Sequence, residues 1–432
     1  MLGLANIYFS SAYLLLHMMP QTTQLTPPRA TRPLRTFLGL LGPAFVASIA
    51  YVDPGNVAAN VSAGSEYGYL LVWVLVLANA MAVIVQHLSA KLGIVTGKSL
   101  PQLIGERLPR PARILFWLQA EIVAAATDIA EIIGGALALY ILFGIPAPVG
   151  GVIVTLVSTG ILALQQRGQR RFENVIIGLL AVISLGFVAG VFVSPVNWAH
   201  AASGLIPRFE GTPTVFLAVG MLGATVMPHA IYLHSSLAID RHGFTTDHHR
   251  VKRLVAASRI DVSAALALAG TVNIAMLILA AAALRGNTDT DTILGAAQAI
   301  TVNLGPIIGA IFGIGLLASG LASTSVGNYA GSMIMQGLLK IRVSVFIRRV
   351  VTAIPALILL ATGVNATWAL VVSQVVLSFG IPFAIIPLAR FTSRPELMGR
   401  FVSGVEMRVL VGTIVAVVVV LNALLLWLTF WG

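Results

Sequence analysis

The seven residues Ala50-Tyr51-Val52-Asp53-Pro54-Gly55-Asn56 interrupt a hydrophobic run that extends from about Phe37 to Val61. A plain membrane helix has no place there for a carboxylate, a proline, a glycine and an amide together. Pro54 removes a backbone N–H and clashes with the preceding turn, and Gly55 tolerates unusual backbone angles, so the helix must open. Opened at mid-membrane, it frees carbonyls near Ala50 and the side chains of Asp53 and Asn56 to bind something, and this donor set points to a cation.

The rest of the chain has the composition of a bilayer-embedded protein. Hydrophobic residues make up 58% and charged residues 9%, with a mean hydropathy of +0.94, which excludes an ordinary water-soluble globule. The 432 residues contain no cysteine, which excludes disulfides and thiolate metal ligands. Apolar segments fall at about 38–64, 70–90, 114–143, 148–164, 174–194, 213–239, 255–284, 304–336, 346–362, 367–389 and 409–430. The expectation is an all-α polytopic membrane protein with eleven transmembrane helices in a single transporter domain over 37–432, preceded by a disordered cytoplasmic tail over 1–36.

Orientation follows from the basic residues. With the N-terminus in the cytoplasm and the C-terminus outside, all of the 26 Lys and Arg residues except Arg208 and Arg285 fall on the cytoplasmic side. That distribution accounts for the formal charge of +11 and removes the case for nucleic-acid binding; the lipid bilayer is the partner it implies, and no obligatory protein partner follows from it.

A second interruption, Gly223-Ala224-Thr225-Val226-Met227-Pro228-His229, lies in the sixth segment. Pro54 and Pro228 occupy corresponding positions if the chain is a five-plus-five repeat, about 37–195 and 212–391, with the eleventh helix at about 409–430 as an appendage. Segments one and six run in opposite directions, so the repeat is inverted, and paired Gly/Pro interruptions of this kind point to a secondary transporter that binds its substrate at the midplane. The competing reading of each break is a simple proline kink. Met227 narrows the substrate, because a thioether beside a carboxylate and an amide suits manganese or iron(II) better than magnesium or calcium.

Asp53-Pro54-Gly55-Asn56 together with Met227-Pro228-His229 resembles the signature motifs of the Nramp family of proton-coupled divalent metal transporters, of the bacterial manganese type. The similarity runs from about 36 to 430 and includes Gln119-Ala120-Glu121, Ala126-Thr127-Asp128-Ile129-Ala130-Glu131 and Ser373-Gln374. The resemblance implies the inverted-repeat fold shared with amino-acid symporters. It also implies metal held by Asp53, Asn56, Met227 and the carbonyls of Ala50 and Ala224, with Gln374 a further ligand in some conformations. The transported ions would be Mn2+ or Fe2+, with Cd2+ accepted, H+ would be the coupled ion, and no cofactor would be permanently bound.

Glu121, Asp128 and Glu131 are spaced to share one face of the third segment. Three acids on one intramembrane face read as a polar path, which His229 can join; the alternative is structural pairing with arginines or backbone. Similarity to the family implies a proton route through Asp53, His229, Glu131 and Asp128, with Arg241 and Arg349 as cytoplasmic-side partners. His234, five residues past His229, has two readings: the outer end of that route, or a hydrogen bond to a neighbouring helix. Asn273 is placed to support the metal site. The His242, Asp247, His248 and His249 cluster reads as a solvated cytoplasmic loop, and Gly93 to Ser99 as a loop at a helix end, one position short of a phosphate-binding pattern. A symporter of an amino acid or other organic substrate, coupled to protons or sodium, is the alternative function. A membrane enzyme is not expected, since the spans hold no nucleophile–base pair or His-Glu-x-x-His motif.

Overall fold

The computed structural model describes residues 42–166, 168–285, 292–341 and 343–431, so the expectations for 1–36 lie outside the described residues. The described elements are helical throughout. The first hydrophobic run forms α1 (Pro43–Ser48), tightened into a 3-10 turn over Ile49–Val52, and then α2 (Pro54–Tyr67), with the break at Asp53. The first half continues through α3 (Val72–Thr96), the short α4 (Leu100–Arg107), α5 (Arg110–Phe143), α6 (Ala147–Gln166) and α7 (Gln169–Val193). Beyond the short α8 (Trp198–Ser203), α9 (Thr212–Thr225) and α10 (Pro228–His242) form the second interrupted element. It is followed by α11 (His248–Ala283), α12 (Ile293–Leu304), α13 (Pro306–Leu339), α14 (Val345–Thr362) and α15 (Ala366–Thr392). The short α16 (Pro395–Met398) leads to α17 (Val405–Phe430).

Nine of the described helices are long and apolar enough to cross a membrane, counting α9 and α10 as one. The two expected segments not among these nine are the first interrupted element, whose described halves are each short, and α14. Short helices α4, α8, α12 and α16 were not expected, because pieces this short leave little trace in hydropathy. The His248–His249 pair, expected in a loop, opens α11 instead, with Asp247 capping the helix through the His249 N–H. Of the Gly93 to Ser99 stretch read as a loop at a helix end, Gly93 to Thr96 form the last turn of α3, and the helix ends at Gly97 with φ 65°.

Prolines and caps explain where the interrupted helices restart. Pro54 and Pro228 sit at the first positions of α2 and α10, where a missing N–H costs nothing. Packing is by close helix approach, as in other membrane bundles. The most extensive pair is α5 on α13; a Cβ at Gly320 would lie 2.9 Å from the Gly135 Cα, so only glycines let these backbones meet. Gly309, Gly313 and Gly315, read from the sequence as packing residues, do face neighbours: their Cβ positions meet Thr301, Leu142 and Phe187.

One end of the bundle is tied by charge. Asp261 on α11 accepts from the backbone N–H groups of Gly42 (3.0 Å) and Ala44 (2.9 Å), capping α1 from another helix. Beside it Arg241 on α10 meets Glu173 on α7 at 3.4 Å, and Tyr329 on α13 donates to Asp240 at 2.5 Å. Replacing Asp261 with Ala strands two buried donors at the start of α1. The expected loss is about 1–3 kcal/mol of stability, with Asp261→Asn intermediate because it keeps one acceptor oxygen. Thermal unfolding of the purified protein in detergent checks this, and an unchanged melting temperature for Asp261→Ala would show that α1 does not depend on that cap.

Candidate metal site and its acid-lined flank

At the first break Asp53 is extended (φ −75°, ψ 165°) and caps α2 by accepting from the Asn56 N–H at 2.8 Å. The carbonyls released by the break are taken up by side chains. Tyr51 O accepts from the Asn56 amide (2.6 Å) and from the Asn273 amide on α11 (2.8 Å), and Val52 O accepts from Ser319 on α13 (2.5 Å). Asn60, one turn beyond Asn56, donates to Asn56 Oδ1 at 3.2 Å and to Asn273 Oδ1 at 3.4 Å. Asn273 thus supports the break as the sequence reading placed it. Ala50 lies buried inside the 3-10 turn, one residue before the carbonyls that these side chains hold.

The second break faces the first. Val226 and Met227 are non-helical (φ −108°, ψ 62° and φ −66°, ψ 121°), and the Asn56 amide crosses to the Ala224 carbonyl at 3.4 Å. Met227 is fully buried at the start of α10. Gln374 on α15 completes the cluster: its amide nitrogen donates to Asp53 Oδ2 at 3.3 Å while its Oε1 has no hydrogen-bond partner among the described residues. Two glycines make room for α15. A Cβ at Gly55 would sit 1.7 Å from the Gln374 amide nitrogen, and one at Gly223 would sit 2.0 Å from the Gln374 carbonyl oxygen. Asp53, Asn56, Met227 and Gln374 all have zero exposure, so the cluster is closed from both sides of the bundle. A cavity of about 220 Å³ lined by Glu66, Phe216, Asn365 and Trp368 lies at the far end of α2, opposite the Asp261 cap.

On the flank, α5 rests directly on the first break, since a Cβ at Gly134 would lie 1.9 Å from the Pro54 Cβ. One turn earlier is Glu131, fully buried, with neither carboxylate oxygen hydrogen-bonded among the described residues. Asp128 pairs with Arg349 at 2.9 Å and Glu121 with Arg348 at 3.1 Å, so the structural pairing weighed for these acids is present at two of the three. His229 reaches α5 through Nδ1 to the Thr127 hydroxyl at 3.4 Å, and its Nε2 has no hydrogen-bond partner among the described residues. Arg348 also reaches Asn328 on α13 at 3.2 Å, over Gly331, whose Cβ position would overlap the guanidinium.

Two residues read onto the proton route make contacts away from α5. His234 hydrogen-bonds Gln86 on α3 at 2.7 Å, the neighbouring-helix reading, and Gln86 in turn donates to the Tyr51 hydroxyl. Arg241 pairs with Glu173 at the capped end of α1. Sequence reasoning missed Asn60, Gln86, Ser319 and Arg348. Arg348 could have been found from its place beside Arg349 in an apolar segment, where two arginines need buried counter-charges; the other three are single polar residues in apolar helices, which α-helical periodicity does not single out.

Comparison with known proteins places this geometry. The sequence matches the Nramp family, described as natural resistance-associated macrophage protein-like, over residues 44–428. A curated relative from Mycobacterium tuberculosis, the divalent metal cation transporter MntH, is 55% identical over 401 residues, covering 92% of this chain and 94% of its own. The crystal structure of the Eremococcus coleocola manganese transporter superposes with a TM-score of 0.82 at 31% identity, covering 92% of this chain and 87% of that one. MhsT in complex with L-phenylalanine shares the fold alone, with a TM-score of 0.59 at 14% identity over 93% of this chain and 99% of its own. With a family match spanning both interrupted helices and relatives aligned over nine-tenths of the length, the chain belongs to the Nramp family.

Proposed function

We propose that this protein imports divalent transition-metal ions across the cytoplasmic membrane, coupled to protons, by alternating access. The observation that carries the reading is the fully buried meeting of a carboxylate, amides and a thioether at two facing helix interruptions, in a chain similar to relatives named as divalent metal cation and manganese transporters. In this reading Asp53, Asn56 and Met227 hold the ion with carbonyls of the two breaks, and the free Oε1 of Gln374 offers a further oxygen. Mn2+ or Fe2+ is the physiological substrate and Cd2+ is accepted. The amides now holding Tyr51 O and Ala224 O exchange partners when the ion arrives, so the site keeps its polar groups satisfied in either condition. An organic substrate is disfavoured by the full burial of the cluster and by Met227.

The proton route proposed here runs from Asp53 and His229 along α5 through Glu131, Asp128–Arg349 and Glu121–Arg348. Glu131, whose carboxylate oxygens have no hydrogen-bond partner among the described residues, offers a proton acceptor next to the first break, whereas Asp128 and Glu121 are held by Arg349 and Arg348. His234 and Arg241 make their contacts to α3 and α7 and not to the acids on α5, so the route proposed here does not use them. The basic-residue distribution supports an orientation with the Asp261 cap on the cytoplasmic side and the cavity at Glu66 on the outer side, from which metal would approach.

Asp53→Ala should abolish metal uptake into proteoliposomes. Asn56→Ala should reduce it by more than the roughly 10–100-fold that even outer-shell changes cost a metal site. Near wild-type uptake by correctly inserted protein of either variant would mean that the ion binds elsewhere. Replacing Glu131 with Gln or His229 with Ala should lower metal-driven proton flux, read with an internal pH dye, more than it lowers metal affinity. Wild-type proton flux with lost metal affinity would instead move these residues into the metal shell.

Selectivity tests the thioether. Calcium gains little from sulfur and must give up an oxygen to meet it, while manganese and especially cadmium accept it readily. Met227→Ala should therefore keep some manganese uptake, bind cadmium much more weakly and become sensitive to excess calcium in competition. Calcium exclusion as strict as in the wild type would show Met227 to be a packing residue.

A further inference from the structure

Away from the metal cluster, a cavity of about 850 Å³ opens between α4, α5 and α15 at the end of the bundle read above as cytoplasmic. Its polar lining consists of Arg107, Arg390 and Arg394. Among the described residues none of the three has an ion-pair partner: Glu106, next to Arg107, is taken by Lys98 at 2.9 Å, and Glu396 does not line the cavity. Arg107 is instead held with its guanidinium 4.9 Å from the centre of the Phe391 ring, which orients it without neutralising it. The remaining wall is apolar, and part of it faces outward, with Leu115 68%, Phe383 46% and Ile386 51% exposed on the outer sides of α5 and α15.

Unpaired arginines gathered over an apolar wall that faces partly outward call for an amphiphile with an anionic head. We propose that this cavity binds an anionic phospholipid of the cytoplasmic leaflet, with its phosphate among Arg107, Arg390 and Arg394 and an acyl chain along Leu115, Phe383 and Ile386. The charge complementarity selects the sign of the headgroup, since basic pockets between transmembrane helices on this face suit phosphate heads. Planar guanidinium groups favour phosphate over other anions. The apolar wall selects a lipid over a free phosphate ion, which would leave most of the cavity without a partner. The site lies between the helix that carries the acids (α5) and the one that carries Gln374 (α15), so an occupant would brace those two helices at one end. The proposal rests on the orientation given above but not on the identity of the transported ion.

The test uses the purified full-length protein, stripped of lipid in detergent, with thermal unfolding and native mass spectrometry as readouts. Phosphatidylglycerol, phosphatidylcholine of the same chains and inorganic phosphate are each added separately. Phosphatidylglycerol should raise the melting temperature and remain bound in the spectrometer, while phosphatidylcholine and inorganic phosphate should do neither to a comparable extent. Each of Arg107→Gln, Arg390→Gln and Arg394→Gln should weaken phosphatidylglycerol binding about fivefold, as expected for roughly 1 kcal/mol per arginine near a lipid surface. Arg253→Gln, outside the cavity, should leave it unchanged. Equal retention of the two lipids by the wild type would overturn the proposal, as would equal losses from Arg253→Gln and the cavity variants. Stabilisation by inorganic phosphate alone would show an ion site rather than a lipid site. Metal uptake is not the readout, so failure of the transport reading leaves this result interpretable.

Discussion

The structure depends on what happens to backbone groups when a helix stops in the middle of a membrane. With no water to receive them, the carbonyls just before Asp53 and Val226 must be met by protein or by an ion. Here they are met by amides and a hydroxyl from α2, α11 and α13: Asn56 and Asn273 on Tyr51 O, Ser319 on Val52 O, and Asn56 again on Ala224 O. Each of these partners comes from a different part of the chain, so the break gathers the bundle around itself. A metal ion that competes for the same carbonyls would be competing against these hydrogen bonds. Binding and rearrangement of α1, α2, α9 and α10 then become one event.

Electrostatics divides the flank of the site in the same way. Asp128 and Glu121 have arginines from α14 within 3.1 Å, which makes their charge tolerable in a buried setting and costly to disturb. Among the described residues Glu131 has no ion-pair partner, and it sits one turn from the contact between α5 and Pro54. The two ion pairs thus lie toward α14, and the acid without an ion pair among the described residues lies toward the first break.

Much of this was legible in the sequence because it is written locally. Pro54, Gly55 and Pro228 act on their own helix, so the two interruptions, their matching positions and the ligand types beside them could be read without a structure. The acids on α5 were legible for the same reason, through helical spacing. What the sequence could not supply was which distant residue answers each polar group, as with Asp261 and the Gly42 N–H 219 positions away, or Arg348 and Glu121 227 positions away. His234 shows the limit of counting along a helix: five residues beyond His229 turn the side chain roughly 140° around the axis, toward Gln86 rather than toward α5. Arg348 and Arg349 looked like cytoplasmic loop charges because basic residues at helix ends usually are, and only the packing of α14 on α5 makes them buried partners of acids.

The claim on which the account turns is that the ion sits between the two interruptions with Met227 as a ligand. X-ray absorption at the cadmium edge, on protein loaded with one equivalent of Cd2+, addresses it directly, because the chain has no cysteine and any sulfur in the first shell must be a thioether. The account predicts a mixed oxygen and sulfur shell in the wild type that becomes oxygen and nitrogen alone in Met227→Ala. A wild-type shell without sulfur, or a sulfur contribution that survives Met227→Ala, would contradict it.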